Sequence, residues 1–243
     1  MLNIDKTITV KTNLVGGHDY LDYKSEYKFY LEVIHHYFYG YISIYHFEKI
    51  FEGMADKRYL THIAKEFVVN KWMGSVAISN YKILYLKRKS TICLSENVNN
   101  GDLNLPTIRQ ITRSLMLAEI HLNYLVMPSI YKRLNNDIYI LSTIEGVFTI
   151  AVLDITRRTE KDLYELIQEI TTTRNLVNRK LKIIFFSFGD KFDVIQKNLK
   201  SERIKNLTTT SNFGIQGNNY LNLKIEAEEL DILRFFNNKE PIL

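Results

Sequence analysis

Apolar and aromatic residues recur at helical spacing from Ser25 to Tyr39, through Tyr27, Tyr30, Leu31, Ile34, Tyr37 and Phe38; positions three and four apart share one face of a helix. Gly40 can stop that helix, and Ser43 is placed to cap a second one containing Ile44, Phe47, Ile50 and Phe51. A third is expected from the N-cap candidate Asp56 to about Trp72. Its Leu60, Ile63, Ala64, Phe67 and Val68 follow the pattern of one buried stripe, which leaves Lys57, Arg58, Thr61, His62 and Lys65 on the other face. After Gly74 the period shortens to two. Val76 to Ser79 and Ile83 to Lys87 predict two strands around a turn at Asn80-Tyr81, the second ending in Lys87-Arg88-Lys89. Three helices followed by a two-stranded ribbon with a basic end are the order of elements in a winged helix-turn-helix, whose third helix enters the major groove of DNA.

The polar run Asn97 to Leu105, with Gly101 and a closing Pro106, marks a linker. It predicts a DNA-binding domain over residues 1–96, a linker over 97–106 and a second domain over 107–243. In the second domain a long helix is expected from Thr107 to Val126, with Ile108, Ile111, Leu115, Ala118, Leu122 and Leu125 along one apolar side. Strands follow at Ile138–Leu141 and Val147–Ile155, then a helix at Glu160–Val177, a strand at Leu181–Phe188, a helix at Asp190–Leu199, a strand at Tyr220–Ile225 and a helix at Ala227–Phe236. That alternation predicts an α/β domain with a mixed sheet.

Charge sharpens the first half. Between Lys57 and Lys89 stand eight basic residues (Lys57, Arg58, Lys65, Lys71, Lys82, Lys87, Arg88, Lys89) against Glu66 alone, whereas the first 56 residues carry five Lys against eight acids, or −3. Partners feel such local fields more than the whole-chain +5. A compact cationic cluster that displaces counterions from phosphates is the footprint of nucleic-acid binding. Arg58 is suited to a guanine edge, Thr61 and His62 to bases or phosphate, and Lys82, Lys87, Arg88 and Lys89 to backbone phosphates.

The 243 residues, 46% hydrophobic and 24% charged with three Pro, describe globular material without a run of eighteen apolar residues. The segment Met1-Leu-Asn-Ile-Asp5 lacks an apolar signal core, and a cytoplasmic protein without membrane partners is the expectation. The single cysteine, Cys93, excludes an internal disulfide and multi-cysteine metal clusters, and its apolar run Thr91-Ile-Cys-Leu94 reads as a buried, inert thiol. Adjacent His35 and His36 diverge by about 100° on a helix and cannot easily share an ion, so these residues, His46 and His121 are read as structural. Gly16-Gly17 lacks the spacing of a phosphate loop or dinucleotide motif, and Ser187-Phe-Gly189 lacks that of a nucleophile elbow. No cofactor and no metal are implied. The enzymatic alternative is a metal-dependent nuclease using Asp137, Glu145 and Asp154, although Asp154-Ile-Thr156 carries Thr where such cores place a catalytic Lys.

In this order of parts the chain resembles the replication-relaxation family of plasmid and mobile-element proteins. The resemblance lies in the winged region Ile42 to Leu86, in Arg113-Ser-Leu-Met-Leu-Ala-Glu-Ile-His121, in Val152-Leu-Asp-Ile-Thr-Arg-Arg-Thr-Glu160 and in Lys182-Ile-Ile-Phe-Phe-Ser187, together spanning Ile42 to Leu199. It implies an N-terminal winged helix joined to an α/β domain with a nuclease-like core, DNA binding, and a role in replication or mobilisation; it carries over no catalytic residues. The resulting expectation is a non-enzymatic binder of double-stranded DNA, acting at a replication or transfer origin or as a transcriptional regulator. A homodimer joined through the Thr107–Val126 helix is expected, with replication or transfer proteins as further partners. A third reading is an interaction module whose basic face meets an acidic protein.

Overall fold

The computed structural model describes residues 25–78, 81–87, 107–124, 129–130, 137–144, 146–155, 159–173, 176, 179–209 and 223–236. Among them are seven α-helices and two sheets, one antiparallel and one mixed. The chain divides into two compact units, Met1–Leu125 with Arg234–Leu243, and Val126–Leu233. The predicted linker 97–106 lies outside the described residues. The observed division falls beyond the long helix and not before it, because that helix packs on elements of the first unit.

In the first unit the order is α1 (Ser25–Phe38), β1 (Tyr41–Ser43), α2 (Ile44–Phe51), α3 (Lys57–Val69), β2 (Met73–Ile78), β3 (Tyr81–Leu86) and α4 (Ile108–Tyr124). Two of the expected caps form. The Ser43 side chain accepts from the His46 N–H at the start of α2, and the Asp56 side chain accepts from the Tyr59 N–H at the start of α3; each satisfies a donor that the first turn leaves without an intrahelical partner. α1 ends with Tyr39 and Gly40 both at positive φ and the Gly40 N–H bonded back to the Ile34 carbonyl, so the left-handed turn begins one residue before the glycine.

β1 is a strand that periodicity does not predict. Three residues long, it pairs antiparallel with β3, as β2 does from the other side, giving the order β1-β3-β2. In the ribbon Gly74 stands opposite Tyr85, whose ring lies where a Cβ on residue 74 would be, at 2.2–2.6 Å from that position. Glycine is therefore required there by the cross-strand ring rather than by its own backbone angles.

α4 is not a one-sided helix. Ile108, expected on its apolar stripe, is 74% exposed, whereas Ile111, Thr112, Ser114 to Ile120 and His121 are all buried. It packs against β1, α2 and α1. Most of its apolar residues are thus covered within one chain.

The second unit holds the mixed sheet β4 (Ser129–Ile130), β5 (Ile138–Ile144), β6 (Val147–Leu153), β7 (Lys180–Ser187) and β8 (Leu223–Glu229), in that spatial order. β4, β5 and β6 are antiparallel neighbours, and β6, β7 and β8 run parallel. α5 (Glu160–Thr172) connects β6 to β7, and α6 (Asp190–Leu199) with α7 (Glu202–Thr209) connects β7 to β8. Ile138, Ile150, Val152, Ile183 and Phe185 of the strands join Leu163, Leu166, Ile167 and Ile170 of α5, Ile195 of α6 and Ile204 of α7 in one core. β7 is buried almost throughout, as a strand parallel to both neighbours should be.

The expected helix Ala227–Phe236 is corrected. β8 runs on to Glu229, and only Leu233–Phe235 forms a short 3-10 helix. Leu223, Ile225 and Ala227 alternate with Lys224, Glu226 and Glu228, and the seven-residue pairing with β7 favours that period over helical spacing. No helix among the described residues is long and apolar enough to cross a membrane.

The Gly74–Tyr85 contact yields a stability test. Gly74→Ala should destabilise the first unit by about 1–3 kcal/mol through overpacking, and Tyr85→Ala in the same chain should remove most of that increment. Urea unfolding of the single and double variants measures the coupling; additive losses would mean the ring is not what excludes a side chain at residue 74.

Candidate functional site

α3 separates its side chains sharply. Leu60, Ile63, Ala64 and Phe67 are buried, while Lys57, Arg58, His62 and Lys65 are exposed. At about 100° per residue, Lys57, Thr61, Lys65, Arg58 and His62 fall within an arc of about 140°. Glu66 lies beyond the edge of that arc and accepts from the Asn70 side chain at 3.1 Å. α3 itself thus contributes no acid to this face, which follows from the burial of the opposite stripe.

Two of the predicted contact residues are engaged by α2. Glu48, on α2, accepts a 2.7 Å hydrogen bond from the Thr61 hydroxyl and lies 3.6 Å from the Lys57 ammonium. Lys57 remains 79% exposed, so its ion pair is of the weak, solvent-screened kind. Thr61 also donates to the Lys57 carbonyl. Its hydroxyl therefore secures the start of α3 against α2, and the outward-facing groups are Arg58, His62 and Lys65. Lys82 and Lys87 are exposed at the two ends of β3, and the Lys87 N–H bonds the Trp72 carbonyl where the chain enters the ribbon. Arg88 and Lys89 lie outside the described residues.

The first unit also contains a buried polar cluster that sequence reading did not assemble. His46 is fully buried on α2. Its Nδ1 lies 2.7 Å from Ser43 Oγ, its Nε2 lies 2.9 Å from Glu119 Oε1 on α4, and the Arg234 guanidinium contacts the same carboxylate oxygen. A carboxylate only accepts, so Nε2 carries the proton and Nδ1 accepts from the Ser43 hydroxyl. Phe235 stacks on the imidazole at 4.9 Å and meets Tyr81 at 4.4 Å, while Arg234 lies over the Tyr45 ring. Hydroxyl, imidazole and carboxylate in this order resemble a nucleophile-activating relay. Ser43 is 0% exposed and caps α2, however, so no carbonyl substrate reaches it. The arrangement is a brace joining α2, α4, the ribbon and the C-terminal residues. Its partners are 73 and 115 positions from one another in sequence, a separation no local pattern encodes.

His35 and His121 behave as packing groups, whereas His36 is exposed. His35 and His36 sit with ring centroids 4.9 Å apart, and burial, with a smaller contribution from His36, lowers the His35 pKa from 6.5 to about 4. His121 is buried near the Phe38 ring. His46 is also pushed below its usual value, by burial first, with Glu119 opposing and Arg234 assisting.

In the second unit Asp137 and Asp154 are both buried, and the Leu153 N–H bonds the Asp137 carbonyl at 2.8 Å, which places the two acids at one end of the antiparallel β5–β6 pair. Glu145, the third carboxylate of the nuclease alternative, lies outside the described residues, as do Arg157 and Arg158. Among the described residues no three His, Cys, Asp or Glu side chains gather in a group able to hold a metal ion.

Compared with family models, curated proteins and solved structures, the chain matches none.

Because His35 and His46 are held neutral in the folded state, the unfolded chain takes up protons that the folded chain refuses as pH falls from 6.5 towards about 4. Stability should be greatest above pH 6.5 and decline across that window, and His35→Gln should flatten the decline in thermal melts recorded against pH. Glu119→Ala leaves a buried histidine and a guanidinium unmatched and should cost about 3 kcal/mol in urea unfolding. Arg234→Ala, at a side chain 30% exposed, should cost distinctly less.

Proposed function

We propose that the first unit is a winged helix that binds double-stranded DNA, with α3 in the major groove and the β2–β3 ribbon against the neighbouring backbone. The observation that carries this reading is the α3 face: four exposed cationic or titratable side chains, Lys57, Arg58, His62 and Lys65, on one arc to which α3 itself contributes no acid, opposite a buried stripe, with Glu48 of α2 at its Lys57–Thr61 edge. The order helix, strand, helix, helix, ribbon supports it as well, since that order presents the third helix beside the ribbon. In this reading Arg58 and His62 meet base edges, Lys65, Lys82 and Lys87 meet phosphates, and Thr61 with Glu48 fixes the helix that carries them. On the replication-relaxation resemblance of the sequence, we propose that it acts at a replication or transfer origin of a mobile element, or at a promoter, as a binder and not as an enzyme.

A second reading, a metal-dependent nuclease in the second unit, is motivated by two buried acids, Asp137 and Asp154, at one end of the β5–β6 pair. Supercoiled plasmid incubated with the chain and Mg²⁺ or Mn²⁺ decides it: nicking abolished by Asp154→Asn supports the enzyme, and intact plasmid under both metals removes it.

Replacing Lys57, Arg58 and Lys65 together with Ala should lower duplex affinity at least about tenfold and reduce the slope of log affinity against log salt by about 3, with the melting temperature unchanged. Titration of a randomised duplex pool followed by selection would also give the preferred site. Unchanged affinity in the triple variant would reject α3 as the binding element. Weak, sequence-indifferent binding lost at moderate salt would point to an acidic protein as the partner.

A further inference from the structure

We propose that β8 is a self-association edge, through which two copies of this chain pair their β8 strands antiparallel about Glu226. The inference is independent of the DNA-binding reading. Among the described residues β8 pairs with β7 alone and ends the sheet. It is seven residues long, free of proline, and half-buried or exposed after Leu223. An edge of this length presents a row of amide groups that templates another strand; β4, at the opposite edge, has only two residues.

The direction of those groups can be read from the ladder. The Leu230 N–H donates to the Ser187 carbonyl at 2.7 Å. By alternation residues 224, 226 and 228 then turn their amides towards β7, and Ile225 and Ala227 turn theirs outward. A two-fold axis through Glu226 sets Ile225 opposite the second copy's Ala227 as the hydrogen-bonded pair. Lys224 falls opposite the second copy's Glu228, and Glu228 opposite the second copy's Lys224, as the closer, non-hydrogen-bonded pairs.

Charge and length of overlap together select the occupant and the register. About Glu226 all seven residues overlap, and two Lys–Glu pairs form across the axis. The two Glu226 side chains that meet there are each matched by their own Lys182 at 2.7 Å. Shifting the axis to Ala227 sets Glu226 against Glu228 and cuts the overlap within β8 to five residues; shifting it to Ile225 keeps two Lys–Glu pairs, Lys224 with Glu226, but likewise leaves only five residues of overlap. The strand is thus complementary to a reversed copy of itself, as an isologous interface requires. Most apolar residues of α4, the alternative contact, are buried within one chain.

A single strand pair is small beside a standard interface of about 1,600 Å², so association should be reversible and concentration-dependent. Sedimentation equilibrium of the full chain, from about 1 to about 200 µM, should show monomer passing to dimer. Lys224→Glu and Glu228→Lys should each weaken the dimer about tenfold, and the double variant, which re-forms both pairs with reversed sign, should return to within about threefold of the parent. Thermal melts confirm that each variant folds, and hydrogen exchange at the Ile225 and Ala227 amides should slow as concentration rises. A monomer throughout the range, single variants that dimerise as the parent does, or a double variant that stays monomeric would each overturn the proposal.

Discussion

A carboxylate buried in the middle of a helix must be matched, and Glu119 imposes that requirement on the whole first unit. α4 is enclosed from Ile111 to His121, so Glu119 has little water to solvate it. Its partners are the imidazole of His46 and the guanidinium of Arg234. An unmatched charge in such a place costs several kcal/mol, whereas a fully hydrogen-bonded one is tolerated and tends to specify a single arrangement. The matching brings the C-terminal residues back to the N-terminal half and seats Phe235 against His46, Tyr45 and Tyr81. The start of β3 is thereby held by residues from the far end of the chain.

That rigidity bears on the face α3 presents. The helix is oriented from below by Leu60, Ile63, Ala64 and Phe67, from the side by the Thr61–Glu48 hydrogen bond, and at its start by the Asp56 cap. Cationic side chains on a helix fixed in this way keep their spacing, unlike those of a diffuse positive field. The second unit is organised on a different principle. Its central strands β6 and β7 are nearly continuous apolar runs, enclosed by parallel or antiparallel neighbours on both sides; the charges of β7 lie near its start, where Lys182 pairs with Glu226 of the edge strand β8. The unit therefore has an apolar centre and a polar edge strand.

The sequence by itself determined what depends on neighbours three or four positions apart. The amphipathic stripes of α1, α2, α3 and α5, the caps at Ser43 and Asp56, the two ribbon strands and the apolar strands β6 and β7 all follow from local periodicity and local hydrogen bonds, and all were legible within a residue or two at α1 and α2 and within about five at the remaining helix ends. The cationic face of α3 was legible for the same reason: once one stripe is buried, helical geometry leaves the others outside. Only the tertiary structure decided the rest, because it depends on groups far apart in the chain. β1 is three residues that become a strand by lying beside β3, and β8 is a strand instead of a helix because β7 offers it a ladder. α4 is enclosed instead of one-sided because β1, α1 and α2 surround it. His46, Glu119 and Arg234 form a cluster for the same physical reason: burial raises the cost of leaving a polar group unpaired, and in a folded chain the partner that relieves that cost can come from any distance in sequence.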